Sequence, residues 1–179
     1  MENICLGCAL CCDGTIFTDV TMHEGDSAEH LAASGVDLLN LAGRTTFRLP
    51  CAAMGDGCCS IHADRPLVCR EYDCHLRRRH DAGEVSFDHA RFLIASVMEL
   101  RDRIRPELAR FFDVPGPHVI ADLYPMLKSG VVGTESSLRA RDQHADVLVD
   151  VAALRFLLLR HFEISRWNRH EASRPDAGA

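Results

Sequence analysis

The chain has 179 residues and nine cysteines, and all nine cysteines lie in the first 74 positions. At roughly 100–200 residues per domain, this length allows one domain, or one small domain with an extension, and excludes a large multidomain machine. The 47% apolar content is too high for a disordered chain, and a net charge of −6 with no long basic face argues against nucleic acid as a partner.

At the N-terminus, Met1 is followed at once by Glu2, Asn3 and Cys5, without the basic and apolar regions of a secretory leader. The longest apolar run, Val147 to Phe162, is interrupted by Asp150, Arg155 and Arg160, too short and too charged to span a bilayer. The expected compartment is therefore the cytoplasm, with no membrane association. Thiols stay reduced there, so clustered cysteines point to metal binding or redox chemistry before structural disulfides.

In chain order, residues 1–15 form a cysteine-rich loop punctuated by Gly7 and Gly14. Residues 16–20 predict a short strand. Thr21 and Glu24 have capping-box spacing, but Gly25 follows at once and leaves that helix start in doubt. Short helices are predicted over 27–33 and 36–42, then a strand over 45–49 closed by Pro50. Gly55 and Gly57 mark a tight loop carrying Cys58 and Cys59. From Ser86 onward the pattern turns helical. Phe92, Leu93, Val97, Leu100 and Ile104 recur at helical spacing, and Pro106 reads as the first residue of a following helix reaching Phe112. A turn at 115–117, a short helix over 119–127 and a long helix from 136 or 137 to about 161 complete the series. The last helix is apolar around most of its circumference, which predicts burial or packing against a second copy of the chain. The fold expected is mainly α, with a small irregular α+β cysteine-rich metal-binding module in the N-terminal half. Its divisions would be a cysteine module at 1–80, a helical scaffold packed on it at 81–162, and a flexible tail at 163–179.

The chemistry lies in the cysteines. Cys5, Cys8, Cys11 and Cys12 form a C-x2-C-x2-C-C run. Two-residue spacing lets a loop fold back so that its sulfurs face one metal, and Gly7 supplies the positive φ such turns use. Three cysteines at successive two-residue intervals are similar to ferredoxin-type cluster loops, which take a remote fourth thiolate. The second block holds Cys51, Cys58, Cys59, Cys69 and Cys74, with Arg65-Pro66-Leu67-Val68-Cys69-Arg70 inside it.

Together, the run from Cys5 to Cys12, Cys51, and the stretch from Cys59 to Arg70 resemble the YkgJ-type CxxCxxCC cysteine-cluster family, described as a zinc- or iron-chelating domain. The flagellin lysine N-methylases carry a related cluster that holds an iron–sulfur centre. The resemblance covers roughly residues 3–75 and says little about residues 81–179. It implies metal ligation by Cys5, Cys8, Cys11, Cys12, Cys51, Cys59 and Cys69. Arg65, Pro66 and Arg70 match the family's Arg-Pro-x-x-Cys-Arg signature, and Arg65 and Arg70 would donate hydrogen bonds to thiolates or sulfides from outside the ligand shell. Salt bridges with Asp64, Glu71 or Asp73 are the ordinary alternative for both. His62 stands where family members often have Tyr. Cys58 is an extra and Cys74 is found in some members, so either is an added ligand or a bystander.

An iron–sulfur cluster, 4Fe-4S in type, is the leading expectation for the cofactor, with zinc the alternative and metal-free thiol chemistry third. One site needs four ligands, and eight thiolates would serve two. Adjacent side chains diverge, so Cys11 and Cys12 are not expected to serve the same metal. His62, His75 and His80 lie near the cluster and are subordinate candidates. The basic run at 77–80 and the acidic series Asp142, Asp146 and Asp150 read as solvated faces.

Three functions are compatible with these features. They are a redox or structural metal module, a protein- or peptide-modifying enzyme of the lysine methylase kind, and a zinc-binding or metal-delivery protein. Neither a phosphate-binding P-loop nor a dinucleotide fingerprint occurs. A protein or peptide partner is expected, and the last helix offers a homodimer contact.

Overall fold

A computed structural model describes residues 3–55, 57–112 and 145–162. The expected turn at 115–117, the short helix at 119–127, the start of the last helix, Asp142 and the whole tail at 163–179 lie outside these residues.

The first element is a three-stranded antiparallel sheet built from β1 (Asp19–Thr21), β2 (Leu38–Leu41) and β3 (Arg44–Arg48), in the order β1-β3-β2. Its centre is β3, where Val20 and Leu38 both stand opposite Phe47. Between β1 and β2 lies α1 (Ala28–Ala33), whose N-cap Ser27 accepts a hydrogen bond from the His30 amide. The helix expected over 36–42 is instead β2. Ala42 and Gly43 both have positive φ, at 51° and 78°, and Leu41 pairs directly with Arg44. A two-residue loop with positive φ at both positions turns a hairpin with the twist of its strands. The Asn40 side chain accepts a hydrogen bond from the Gly43 amide and holds the turn. Four apolar or amide residues ahead of Ala-Gly read like helix, and only the turn shows they are strand. Likewise, Thr21 ends β1 rather than capping a helix.

A second, minimal hairpin pairs β4 (Met54–Gly55) with β5 (Cys58–Cys59), so the two cysteines expected on a tight loop lie in a strand. Two short helices follow, α2 (Leu67–Glu71) and α3 (His75–Asp81), neither of which was predicted. Both start on unconventional caps. Pro66 precedes α2 with its φ fixed at −60°, while the thiol of Cys74 accepts the Arg77 amide at the start of α3.

α4 runs without interruption from Phe87 to Phe112, with Pro106 inside it. The expected break at Pro106 does not occur. A mid-helix proline removes one hydrogen bond and crowds the preceding turn, costing about 3 kcal/mol. Here the turns before it are anchored from outside: Arg101 and Arg105 grip Asp13, and Arg103 grips Asp150. α5 (Ala145–Leu157) packs against α4 and passes into a π-helical turn, Leu158–Phe162.

Two hydrophobic cores result. The larger joins the N-terminal loop to the helices through Ile4, Leu10, Leu76, Ile94, Val97, Ile104 and Leu154. The smaller lies under the sheet and comprises Leu31, Val36, Phe47, Leu49 and Ala53. Among the described residues, no helix is long and apolar enough to cross a membrane.

Candidate metal centre

The loop from Asn3 to Thr15 is shaped by local hydrogen bonds. The Cys8 amide donates to the Cys5 carbonyl at 3.1 Å, and the Cys12 amide donates to the Ala9 carbonyl at 2.8 Å. Gly7 has φ +75°, as its place between two cysteines led one to expect, and Ala9 also takes positive φ at 52°. These turns bring the first thiols onto one side of the large core, where Leu10 is fully buried. The loop is then clamped to α4. Buried Asp13 receives Arg101 Nη1 at 2.5 Å on its carboxylate and Arg105 Nη2 at 2.6 Å on its carbonyl, and its other carboxylate oxygen accepts the Thr15 amide.

None of the nine cysteines is in a disulfide. They divide into two sets. Cys8 and Cys74 pack against the large core, whereas Cys51 and Cys69 pack against the small one. The Cys51 amide donates to the Cys12 carbonyl at 2.9 Å, which ties Cys12 to the second set. The Met54 amide returns to the Cys51 carbonyl, and Met54 pairs with Cys59, so Cys51 and Cys59 are held by one hairpin.

Electrostatics divides the thiols along the same line. Burial pushes Cys8 up to about 12, helped by the charges of Cys74 and Cys5. Burial also raises Cys74, with Cys5 adding to it, and raises Cys5 against the pull of Arg77 and Arg65. In the other set burial pushes Cys69 up to about 12, with Cys12, Cys51 and Cys59 contributing, and raises Cys51 with Cys12 and Cys59 contributing. Cys11 and Cys12 join the two sets, their sulfurs 3.6 Å apart. Their shared hydrogen bond raises Cys11 and lowers Cys12, and Cys11 also feels Cys8 and Cys5. The loop set is thus Cys5, Cys8, Cys11 and Cys74, and the hairpin set is Cys12, Cys51, Cys59 and Cys69.

Cys58 stands apart. It is exposed, and in β5 it follows the alternation that sends neighbouring side chains to opposite faces. Cys74 comes out differently, placed by α3 beside the loop thiols. Sequence alone had treated the two alike.

Arg65 lies by both sets. Its charge lowers Cys5 and Cys12, and its buried Nε has no hydrogen-bond partner among the described residues. Arg70 is exposed in α2 and its amide bonds to Pro66. Asp73 takes neither arginine; it pairs with Arg77, which also reaches Asp81. With Arg79 on Glu84, the basic run is an ion-paired helix face rather than a bare one. Asp150 is likewise bound to Arg103. His62 is exposed, and His80 Nδ1 lies 3.1 Å from the Val85 carbonyl.

The donor chemistry fits a thiophilic metal. Six sulfurs, those of Cys5, Cys8, Cys11, Cys51, Cys69 and Cys74, are pressed toward the neutral thiol by burial and by neighbouring thiols, and a cation would reverse that pressure. Among the described residues, no three His, Cys, Asp or Glu side chains are already gathered closely enough to hold an ion. Ligation therefore requires the thiols to turn inward and shed their protons.

Residues 4–90 match the CxxCxxCC family model, described as "Putative zinc- or iron-chelating domain". The match covers 87 of the 179 residues, from 4 to 90. No curated protein and no solved structure matches the chain. The matched segment takes in both thiol sets, α2, α3 and the first turn of α4. Metal chelation is the general role this match supports.

Sequence reasoning missed three contributors. Asp13 and Arg101 were hidden because their contact spans 88 positions. Tyr72 was the third. Burial raises its phenol, as do the charges of Cys74, Cys11 and Cys8, and its ring packs edge-on against Phe17 with centroids 5.1 Å apart.

Proposed function

We propose that this protein is an iron–sulfur protein, in which thiolates of the CxxCxxCC domain hold the cluster and α4 and α5 form its scaffold. The observation that carries this reading is the ferredoxin-like C-x2-C-x2-C-C run, with all nine cysteines free of disulfides and Cys8, Cys74, Cys51 and Cys69 seated against the two cores. A bound cluster would supply one-electron chemistry or a structural cross-link. The chain's own residues do the rest. The loop amides fix the spacing of Cys5, Cys8 and Cys12, Asp13 anchors the loop to α4, and Arg65 brings positive charge to thiolates of both sets. Zinc on the same thiolates is the other member of the family's metal pair.

Anaerobic purification of the full chain, followed by assay of iron, acid-labile sulfide, zinc and visible absorption, tests the proposal. A brown protein with matched iron and sulfide is the expected result. A colourless protein with stoichiometric zinc would establish the zinc version instead. A protein that binds neither would refute metal binding.

A further inference from the structure

We propose that α5 is the contact face of a homodimer: its exposed apolar stripe packs antiparallel, about a two-fold axis, against the same stripe of a second copy of this chain. The proposal goes beyond the metal reading above and does not depend on it.

One side of α5 is already used. Val151 and Leu154, with Leu158 in the π-helical turn, are buried in the large core. On the surface helix of a monomer the opposite side is polar. Here it is apolar along its length. The exposed residues between 145 and 162 are Ala145, Val149, Ala152, Phe156 and Leu159, with Asp146 and Arg160 near the two ends. Val149 and Phe156 are 66% and 65% exposed. Single exposed apolar side chains are ordinary, but a line of them down one helix marks an interaction surface.

Spacing and charge together name what covers it. Successive members of the stripe are four, three, four and three residues apart, which is the seam of a two-helix coiled coil. Such a seam packs against a helix carrying the same repeat, and α5 is one. Asp146 follows Ala145 and Arg160 follows Leu159, so the two charges flank the seam on the same side, one at each end. Among the described residues, neither side chain has an ion-pair partner. Two copies laid parallel would set Asp146 level with Asp146 and Arg160 level with Arg160. Laid antiparallel about an axis near Ala152, each copy's Asp146 comes level with Arg160 of the second copy, at both ends at once. A two-fold contact of this kind uses one patch twice and is closed. Ala152 lies midway along the stripe, where a small side chain lets the helices approach closely. Five side chains on one helix cover less than the roughly 800 Å² per partner of a standard interface, so the dissociation constant expected is on the order of 10 μM.

Sedimentation equilibrium of the full chain tests the proposal, under anaerobic reducing conditions so that no disulfide links two copies, from about 1 to 300 μM. The parent should pass from monomer to dimer across that range. Phe156→Glu and Val149→Glu change exposed positions, and each should stay monomeric while keeping the parent's circular dichroism. Should one misfold, the other serves. Asp146→Arg sets like charges together at both ends and should weaken the dimer about tenfold, and adding Arg160→Asp should restore it. A parent that is monomeric at every concentration would overturn the proposal and mean that the stripe is covered by another part of the same chain or left in water. A dimer that neither glutamate variant disturbs would overturn it too, by placing the contact elsewhere. If the glutamate variants dissociate the dimer but Arg160→Asp brings no recovery, the antiparallel arrangement is overturned.

Discussion

The two hydrophobic cores differ in what they are made of. The large core is built by helix-on-helix packing, with Ile94, Val97 and Ile104 of α4 meeting Val151, Leu154 and Leu158. It can persist on apolar burial alone. The small core has five buried residues under a three-stranded sheet, and half-buried Cys51 and Cys69 complete its wall. A three-stranded sheet with one hydrophobic face stands at the lower limit of what is stable by itself. Two thiols pack against each core, Cys8 and Cys74 on the large one and Cys51 and Cys69 on the small one, so they make up a larger share of the smaller core. A metal held by these thiols would thus be coupled to the fold more tightly at the sheet than at the helices.

Metal removal should break this comparison most visibly. Structural zinc contributes on the order of 10 kcal/mol to small thiolate domains. Chelation should therefore remove hydrogen-exchange protection from β2, β3 and α2 while most of α4 stays protected. Equal loss in both regions would contradict the contrast. Because burial sets the Cys8 and Cys69 thiols near 12, reloading should strengthen steadily as pH rises from 6 to 8, each ligand giving up a proton.

Next in size is the clamp. Arg101→Met leaves the Asp13 carboxylate buried without its main partner and should cost about 3–5 kcal/mol in urea unfolding. Adding Asp13→Leu to that variant should recover much of the loss, since a buried pair replaced by apolar groups is often neutral. No recovery would mean that the clamp acts through something other than charge.

Truncation sharpens the contrast within each core. Phe47→Ala and Leu154→Ala both remove side chains that are 1% exposed, at a cost of about 3–5 and 2–5 kcal/mol respectively. The expected difference is in the metal. Phe47→Ala should weaken retention at Cys51 and Cys69, and Leu154→Ala should leave it unchanged.

The smallest effect is a pH dependence confined to the large core. Burial depresses His161 below its usual 6.5, and Arg79 and Arg160 add to the shift. The folded state favours the neutral ring, while the unfolded chain protonates near 6.5. The penalty is absent above that pH and grows as pH falls below it, so stability should decline in mildly acidic buffer. His161→Gln should flatten that decline, measured by denaturant unfolding between pH 5 and 7.5.

Much of the site could be read in the sequence because metal-ligand spacing is local. A C-x2-C turn is written in four residues, and the helical period of α4 in fifteen or so. What escaped reading was non-local. Cys58 and Cys74 looked alike until strand alternation turned one outward and a helix start turned the other inward. The stretch before Ala42 reads as helix because its apolar residues are adjacent rather than alternating, and pairing with β3 decides otherwise. Pro106 reads as a helix start because intrinsic preference cannot register the grip that Arg101 and Arg105 exert from within α4.

That grip also sets a timetable. Asp13 precedes Arg101 by 88 positions. At about 5–20 residues per second, the cysteine loop leaves the ribosome roughly 4–18 s before its anchor exists. The sheet and α2, by contrast, emerge almost together with Cys51, Cys59 and Cys69. During synthesis the hairpin thiols therefore reach their native neighbours first, while the loop thiols wait for the helix that will hold them.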